Sequence, residues 1–203
     1  MPKNFKLEGF YFILDASFVK RDIFKLTKKA IETGIKIVQY RNKIDSTKKT
    51  YNDALILRKI CKNVFFIIND RIDIALAVGA DGIHIGQYDL PINIARKILG
   101  KDKIIGLSTH SIKEAILAKK SGADYISVGP IFKTSTKPNL TPIGIDLLKK
   151  IKSRVDIPIV AIGGINLDNV KEVLACGVGS FCAISAIFKG NPVNNLKKFQ
   201  SLF

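Results

Sequence analysis

The chain has 203 residues, 47% of them hydrophobic, with three cysteines and a formal charge of +16. That length and apolar content suffice for one domain over residues 1–203 with a large core, without disulfides or a structural metal. The apolar stretch from Phe10 to Leu14 is too short for a signal-peptide core, and no run approaches the ~20 apolar residues of a membrane span, so a soluble, cytoplasmic protein is expected.

Short β-branched runs alternate with amphipathic stretches of ten or so residues along the whole chain, the pattern of repeated βα units on a parallel sheet. Strands are predicted at 11–14, 36–40, 65–68, 82–85, 104–107, 125–128, 159–162 and 180–184. Helices are predicted at 22–33, 47–61, 71–78, 92–99, 112–120, 144–151, 167–176 and 193–200. Gly79-Ala80-Asp81, Gly122-Ala123-Asp124 and Cys176-Gly177-Val178-Gly179 stand where a helix ends and the next strand begins, a place where glycine accepts the left-handed C-cap. Eight such units of roughly 25 residues predict an α/β fold, a (β/α)8 TIM barrel with its active site where strands run into the following helices. A doubly wound sheet is the alternative, but it needs no eighth strand and usually carries a Gly-rich turn after the first, where this chain has Asp15-Ala16-Ser17.

The excess of positive charge is spread over lysine pairs on every predicted helix, such as Lys28-Lys29, Lys119-Lys120 and Lys197-Lys198, with no aromatic residues interleaved for base stacking. Solvated helix faces are expected, and neither a nucleic-acid nor a membrane partner; a homo-oligomer stays open. Cys61, Cys176 and Cys182 are widely spaced in apolar surroundings with no histidine close in sequence, so they read as core residues of a reduced compartment.

In the barrel, the side chains just past each strand share one mouth. There Gln39, Arg41 and Lys43 alternate and point the same way, a fork and a point charge suited to a pyrophosphate. Asp70 and Asp89 follow the third and fourth strands and can hold one hard cation between them, as Mg²⁺ takes one or two carboxylates and leaves room for water and phosphate oxygens. Both could instead be helix N-caps, since each precedes a helix. His84 and His110 match no zinc spacing. Gly129 to Lys137 form a hydroxyl-rich loop able to close over an anion, and Gly163-Gly164 with Ile184-Ser185 offer backbone N–H groups for a phosphate.

Six motifs in this order resemble the thiamine phosphate synthase family: Val38 to Lys43, Ile68 to Arg71, Asp81 to Pro91, Gly106 to Ser111, Gly129 to Lys137 and Ala161 to Ile165. The resemblance covers nearly the whole chain. Its departures are Tyr40 for a common aliphatic residue, Lys133 for a frequent proline, and Ser180-Phe181-Cys182 where small aliphatics are usual. It implies a transferase of thiamine biosynthesis that joins two small molecules, 4-amino-5-hydroxymethyl-2-methylpyrimidine diphosphate and 4-methyl-5-(2-hydroxyethyl)thiazole phosphate, and releases pyrophosphate with Mg²⁺ as cofactor. By matching position it implies that Gln39, Arg41, Lys43, Asn69, Ser108 and Lys137 hold the pyrimidine diphosphate, with Tyr40 and Asn42 from the same motif in the binding set. It implies Asp70 and Asp89 as metal ligands, and Thr134, Ser135, Thr136, Gly164, Ile184 and Ser185 on the thiazole phosphate. Arg41, Lys43, Ser108 and Lys137 are the expected catalytic residues.

The related thiazole tautomerase shares the barrel and the phosphate site but needs no metal-bound diphosphate, so the set from Gln39 to Lys137 favours the synthase. A non-catalytic phosphate-ligand or RNA-binding protein would leave the paired aspartates unexplained, because carboxylates repel a polyanion unless a cation intervenes.

Overall fold

The computed structural model describes residues 5–19, 22–134, 136 and 140–203. Its strands are β1 (Gly9–Asp15), β2 (Ile37–Arg41), β3 (Phe65–Asn69), β4 (Gly82–Ile85), β5 (Ile104–Thr109), β6 (Tyr125–Val128), β7 (Ile159–Ile162) and β8 (Ser180–Cys182). Each pairs in parallel with the next and β8 pairs with β1, which closes the barrel. The helices are α1 (Ile23–Glu32), α2 (Thr47–Ile60), α3 (Ile72–Ala77), α4 (Ile92–Leu99), α5 (Ile112–Lys120), α6 (Gly144–Lys152), α7 (Val170–Leu174), α8 (Ile184–Phe188) and α9 (Pro192–Gln200). The (β/α)8 barrel expected from the alternation is therefore the fold.

Strand pleating sorts alternate residues into two cores. Outward-facing residues such as Phe10, Val38, Tyr40, Phe66, Ile83 and Phe181 pack under the helices, and the rings of Phe10, Phe181 and Phe199 meet at 5.3 to 5.7 Å. Inward-facing residues form a smaller cluster of Tyr11, Ile37, Ile67, Ile104, Tyr125, Val160 and Cys182. Phe5 and Leu7 close the bottom of that cluster, with Phe5 edge-on to Phe65 at 5.1 Å. Polar caps start several helices: Asp22 accepts from the N–H of Phe24 and Lys25, Ser46 from Lys49, Ser111 from Glu114 and Asn191 from Asn194.

The final unit departs from the sequence-based expectation. The strand predicted to reach residue 184 stops at Cys182, and Ile184 opens the short helix α8. Ile184-Ser185-Ala186-Ile187-Phe188 is apolar enough to extend a strand, but the i, i+3 spacing of Ile184 and Ile187 lets Ile187 be buried from a helix. Helix α7 starts at Val170, three residues later than predicted, because Asn166 and Asn169 form a turn in which the Asn169 side chain accepts from the Asn166 N–H and donates to the Gly164 carbonyl. Among the described residues no helix is long and apolar enough to cross a membrane.

Candidate active site

The carboxyl ends of the strands surround a cavity open to solvent. Gln39 and Arg41 of β2 line it, as do Asn69 of β3, His84 of β4 and Ser108 of β5. His110, Thr134, Thr136, Gly164, Ile184 and Ser185 complete much of the opposite wall. The structure thus brings together most of the residues expected there from the sequence.

Arg41 is set by the register of β1 and β2, which makes Asp15 its direct neighbour. Asp15 is 1% exposed, its carboxylate takes an ion pair from the Arg41 guanidinium, and its second oxygen accepts from the N–H and hydroxyl of Ser17 at 3.0 and 2.6 Å. A buried carboxylate held on both oxygens fixes the guanidinium at the cavity wall. Asp15 was not among the expected site residues, and its only sequence signal is a charged residue at the end of an apolar strand.

Lys43, Asp70 and Asp89 do not line the cavity; the Lys43 ammonium lies 3.0 Å from Asp70 Oδ2. Asp70 follows β3 directly and stands at φ 61°, the one non-glycine residue with positive φ among those described. Left-handed backbone costs an L-residue roughly 1–2 kcal/mol and concentrates at functional sites. Neither Asp70 nor Asp89 caps a helix. The N-cap positions of α3 and α4 are Arg71 and Pro91, which make no side-chain cap bonds, so the capping alternative fails. Asp89 Oδ2 instead accepts from the Gly86 N–H at 2.6 Å. Burial pushes the Asp70 carboxyl above the usual range, Lys43 counteracts this, and the neighbouring Asp89 adds to the rise. Two carboxylates disfavouring joint ionisation in the same place are a hard-oxygen donor pair that a divalent cation would relieve. Among the described residues no three His, Cys, Asp or Glu side chains gather as a closed metal cage. A pair of carboxylates open on one side is the form Mg²⁺ favours.

On the far wall, Gly164 has φ 67°, and a Cβ there would sit 2.5 Å from the Lys133 carbonyl oxygen. The loop after β6 is laced to the end of β7 by Ile131 N–H to Ile162 O and Phe132 N–H to Gly163 O, both 2.9 Å. Thr136 donates its N–H to Thr134 Oγ1 at 3.3 Å, which places both hydroxyls at the cavity. Ser135 and Lys137, expected in the same loop, lie outside the described residues.

Two residues of the expected binding set besides Lys43 are not brought to the cavity. Strand alternation turns Tyr40 outward, where it is 1% exposed in the outer core and donates to Asp53 Oδ2 at 3.1 Å. Asn42 turns back onto Tyr40 and Asp45, at 2.9 Å each. Both organise the β2–α2 loop from behind. His110 lines the cavity and pairs with Glu114 at 3.1 Å. All three cysteines are buried free thiols, and burial pushes them up, Cys61 to about 12. No thiolate nucleophile is offered.

A closed (β/α)8 barrel with a polar cavity at the carboxyl ends of its strands defines a TIM-barrel enzyme. The chain matches the family model for thiamine monophosphate synthase over residues 10–187, and it belongs to that family. It is 48% identical over 202 residues to the thiamine-phosphate synthase of Clostridium novyi, covering 98% of each chain. Against the thiamine-phosphate synthase of Methanosarcina barkeri it is 45% identical, covering 94% of this chain and 87% of that one. Among solved structures, thiamine phosphate pyrophosphorylase from Pyrococcus furiosus superposes with a TM-score of 0.87 at 36% identity, over 96% of this chain and 94% of that one. A 3-hexulose-6-phosphate synthase, at 15% identity and TM-score 0.69, shares the fold alone. The enzyme's role is thiamine phosphate synthesis.

Proposed function

We propose that the cavity couples 4-amino-5-hydroxymethyl-2-methylpyrimidine diphosphate to 4-methyl-5-(2-hydroxyethyl)thiazole phosphate, giving thiamine phosphate and pyrophosphate. The observation that carries this reading is the Asp70–Asp89 pair, with Lys43 on Asp70, which caps no helix and in which burial and the neighbouring Asp89 raise the Asp70 carboxyl. Asp70 and Asp89 would hold Mg²⁺, which supplies positive charge to a departing pyrophosphate.

Gln39, Asn69 and Ser108 orient the pyrimidine, and Arg41, Lys43 and Lys137 neutralise its diphosphate. Thr134, Ser135, Thr136, Gly164, Ile184 and Ser185 hold the thiazole phosphate, with hydroxyls and backbone N–H groups as donors. The C–O bond to the diphosphate breaks first, the electron pair leaves with pyrophosphate, and the pyrimidine methylene cation is captured by the thiazole nitrogen. This route needs no protein nucleophile, in keeping with three buried thiols and the Arg41 guanidinium at the cavity wall. We also infer a cytoplasmic location for this biosynthetic step.

The test is product analysis of the purified protein with both phosphorylated halves, with and without Mg²⁺. Metal-dependent appearance of thiamine phosphate and pyrophosphate together is expected. Binding of the thiazole phosphate without coupling would overturn the substrate assignment.

A further inference from the structure

Beneath the cavity, a line of buried polar side chains crosses the barrel interior from β2 to β5. Gln39 Nε2 donates to the Tyr11 hydroxyl at 3.0 Å, and the Tyr11 and Tyr125 hydroxyls are 2.7 Å apart. Tyr125 Oη lies 3.0 Å from His84 Nδ1, and His84 Nε2 lies 3.0 Å from Ser108 Oγ. The strands are shaped for this line. Gly106 stands in register between His84 and Tyr125, and a Cβ there would fall 2.5 Å from His84 Nδ1 and 2.1 Å from the Tyr125 ring. Only a residue without a side chain lets the two groups meet.

A phenol has one hydrogen to donate and two lone pairs to accept with, so the line has two self-consistent directions, outward from Gln39 to Ser108 or back from Ser108 to Tyr11. In the outward direction Tyr11 accepts from Gln39 and donates to Tyr125, which donates to His84 Nδ1, so that the hydrogen of each phenol has an acceptor within the line. A neutral imidazole that accepts at Nδ1 carries its proton on Nε2 and donates it to Ser108 Oγ. Ser127 Oγ lies 3.3 Å from the same His84 Nε2, which therefore faces both serines, and donates to Ser108 Oγ at 3.4 Å. With its acceptor positions filled, the Ser108 hydroxyl has its own hydrogen left for the cavity. Burial raises both phenols well above their ordinary range, so each keeps the hydrogen that the line requires.

We propose that Tyr11, Tyr125 and His84 are positioning residues, a directional hydrogen-bond relay that makes the Ser108 hydroxyl a donor to the substrate and ties its orientation to that of Gln39. The relay deepens the reading above, since it rests on Gln39 and Ser108 facing the pyrimidine diphosphate. Free and bound enzyme then present the same donor, and no hydroxyl has to reorient during binding.

The first measurement is the tautomer of His84 by ¹⁵N NMR of ligand-free, histidine-labelled protein, with His110→Gln separating the signals of the two histidines. A proton on Nε2 with Nδ1 accepting is expected, and a proton on Nδ1 overturns the relay. The second is Tyr125→Phe, which keeps the ring and removes the hydroxyl. It should shift the His84 tautomer and lower kcat/KM for the pyrimidine diphosphate by about tenfold, the weight of one hydrogen bond, with KM for the thiazole phosphate unchanged. Ser108→Ala should lose a similar factor, and the double variant should be no worse than either alone. Additive losses, or equal losses toward both substrates, would reduce Tyr125 to a packing residue and overturn the proposal. The tautomer is read without substrate, so the relay can fail while coupling activity stands, and the reverse.

Discussion

At the bottom of the barrel, Asp81 and Asp124 each close a Gly-Ala-Asp step between a helix and the next strand, and each carboxylate takes a strand N–H and an arginine. Asp81 accepts from the Phe66 N–H at 2.8 Å and takes a two-pronged contact from the Arg58 guanidinium. Asp124 accepts from the Ile105 N–H at 2.8 Å and pairs with Arg96 at 2.5 Å. At the mouth, Asp70 and Asp89 have no guanidinium partner among the described residues and stand next to each other, with the exposed Lys43 paired to Asp70 and the Gly86 N–H donating to Asp89. The bottom carboxylates tie each strand to its neighbour and carry their charge at low cost. Those at the mouth lack such a clamp, and burial together with the neighbouring Asp89 raises the Asp70 carboxyl, the contrast on which the proposed cation site rests.

The largest expected effect breaks the mouth. Asp70→Asn keeps a residue that accepts left-handed backbone and removes the charge. We expect Mg²⁺-dependent coupling to fall by about two decades or more. Unchanged turnover at saturating Mg²⁺ would remove Asp70 from the metal site. Stability should move the other way. Because the folded-state pKa of Asp70 is raised, its ionised form disfavours the fold, and protonation relieves that as pH falls through the raised value toward the ordinary carboxylate range. Without metal, the variant should melt no lower than the parent at neutral pH, and its advantage should shrink as pH drops, as melts from about pH 8 to about pH 4 will show.

The sequence made the mouth legible because strand alternation and motif order place Gln39, Arg41, Asn69, Asp70 and Ser108 at successive strand ends, whatever the details of packing. The relay below was hidden for the same reason. Tyr11 and Tyr125 sit at inward positions of apolar strands, where periodicity reads any large side chain as core, and only the register shows that their hydroxyls meet. Tyr40 and Asn42 were overassigned because they lie inside a motif whose alternate members do reach the cavity. Asp81 and Asp124 were visible as punctuation between helix and strand, but their arginines lie in α2 and α4, 23 and 28 residues away. The end of β8 was misplaced because five apolar residues fit strand or helix equally until packing decides.

Asp124→Ala tests the bottom. It leaves the Ile105 N–H and one face of Arg96 without their acceptor, and a loss of about 2 kcal/mol follows, roughly 4–8 °C in Tm for a domain of this size. kcat and both KM values should stay at the parent level. A matching fall in kcat/KM would show that the clamp at the bottom shapes the mouth, and the contrast between the two ends would collapse.

Arg58→Lys is the smallest and sharpest of the three. Arg58 meets Asp81 through Nη1 to Oδ2 at 3.1 Å and Nη2 to Oδ1 at 3.3 Å, a fork that lysine replaces with one point charge. Both side chains are a quarter or more exposed, so solvent screens the pair. The Phe66 N–H still holds Asp81 Oδ2, and β3 keeps its register to β4. The expected cost is therefore about 0.5 kcal/mol, reduced further by salt and measurable as a small shift in denaturant midpoint. Arg96→Lys should cost more, because Arg96 also donates to the carbonyls of Gly100, Lys103 and Gly122, which one ammonium cannot reach together. If Arg58→Lys instead costs as much as Asp124→Ala, the guanidinium rather than the backbone N–H is what fastens Asp81, and the two Gly-Ala-Asp steps hold their strands by different means.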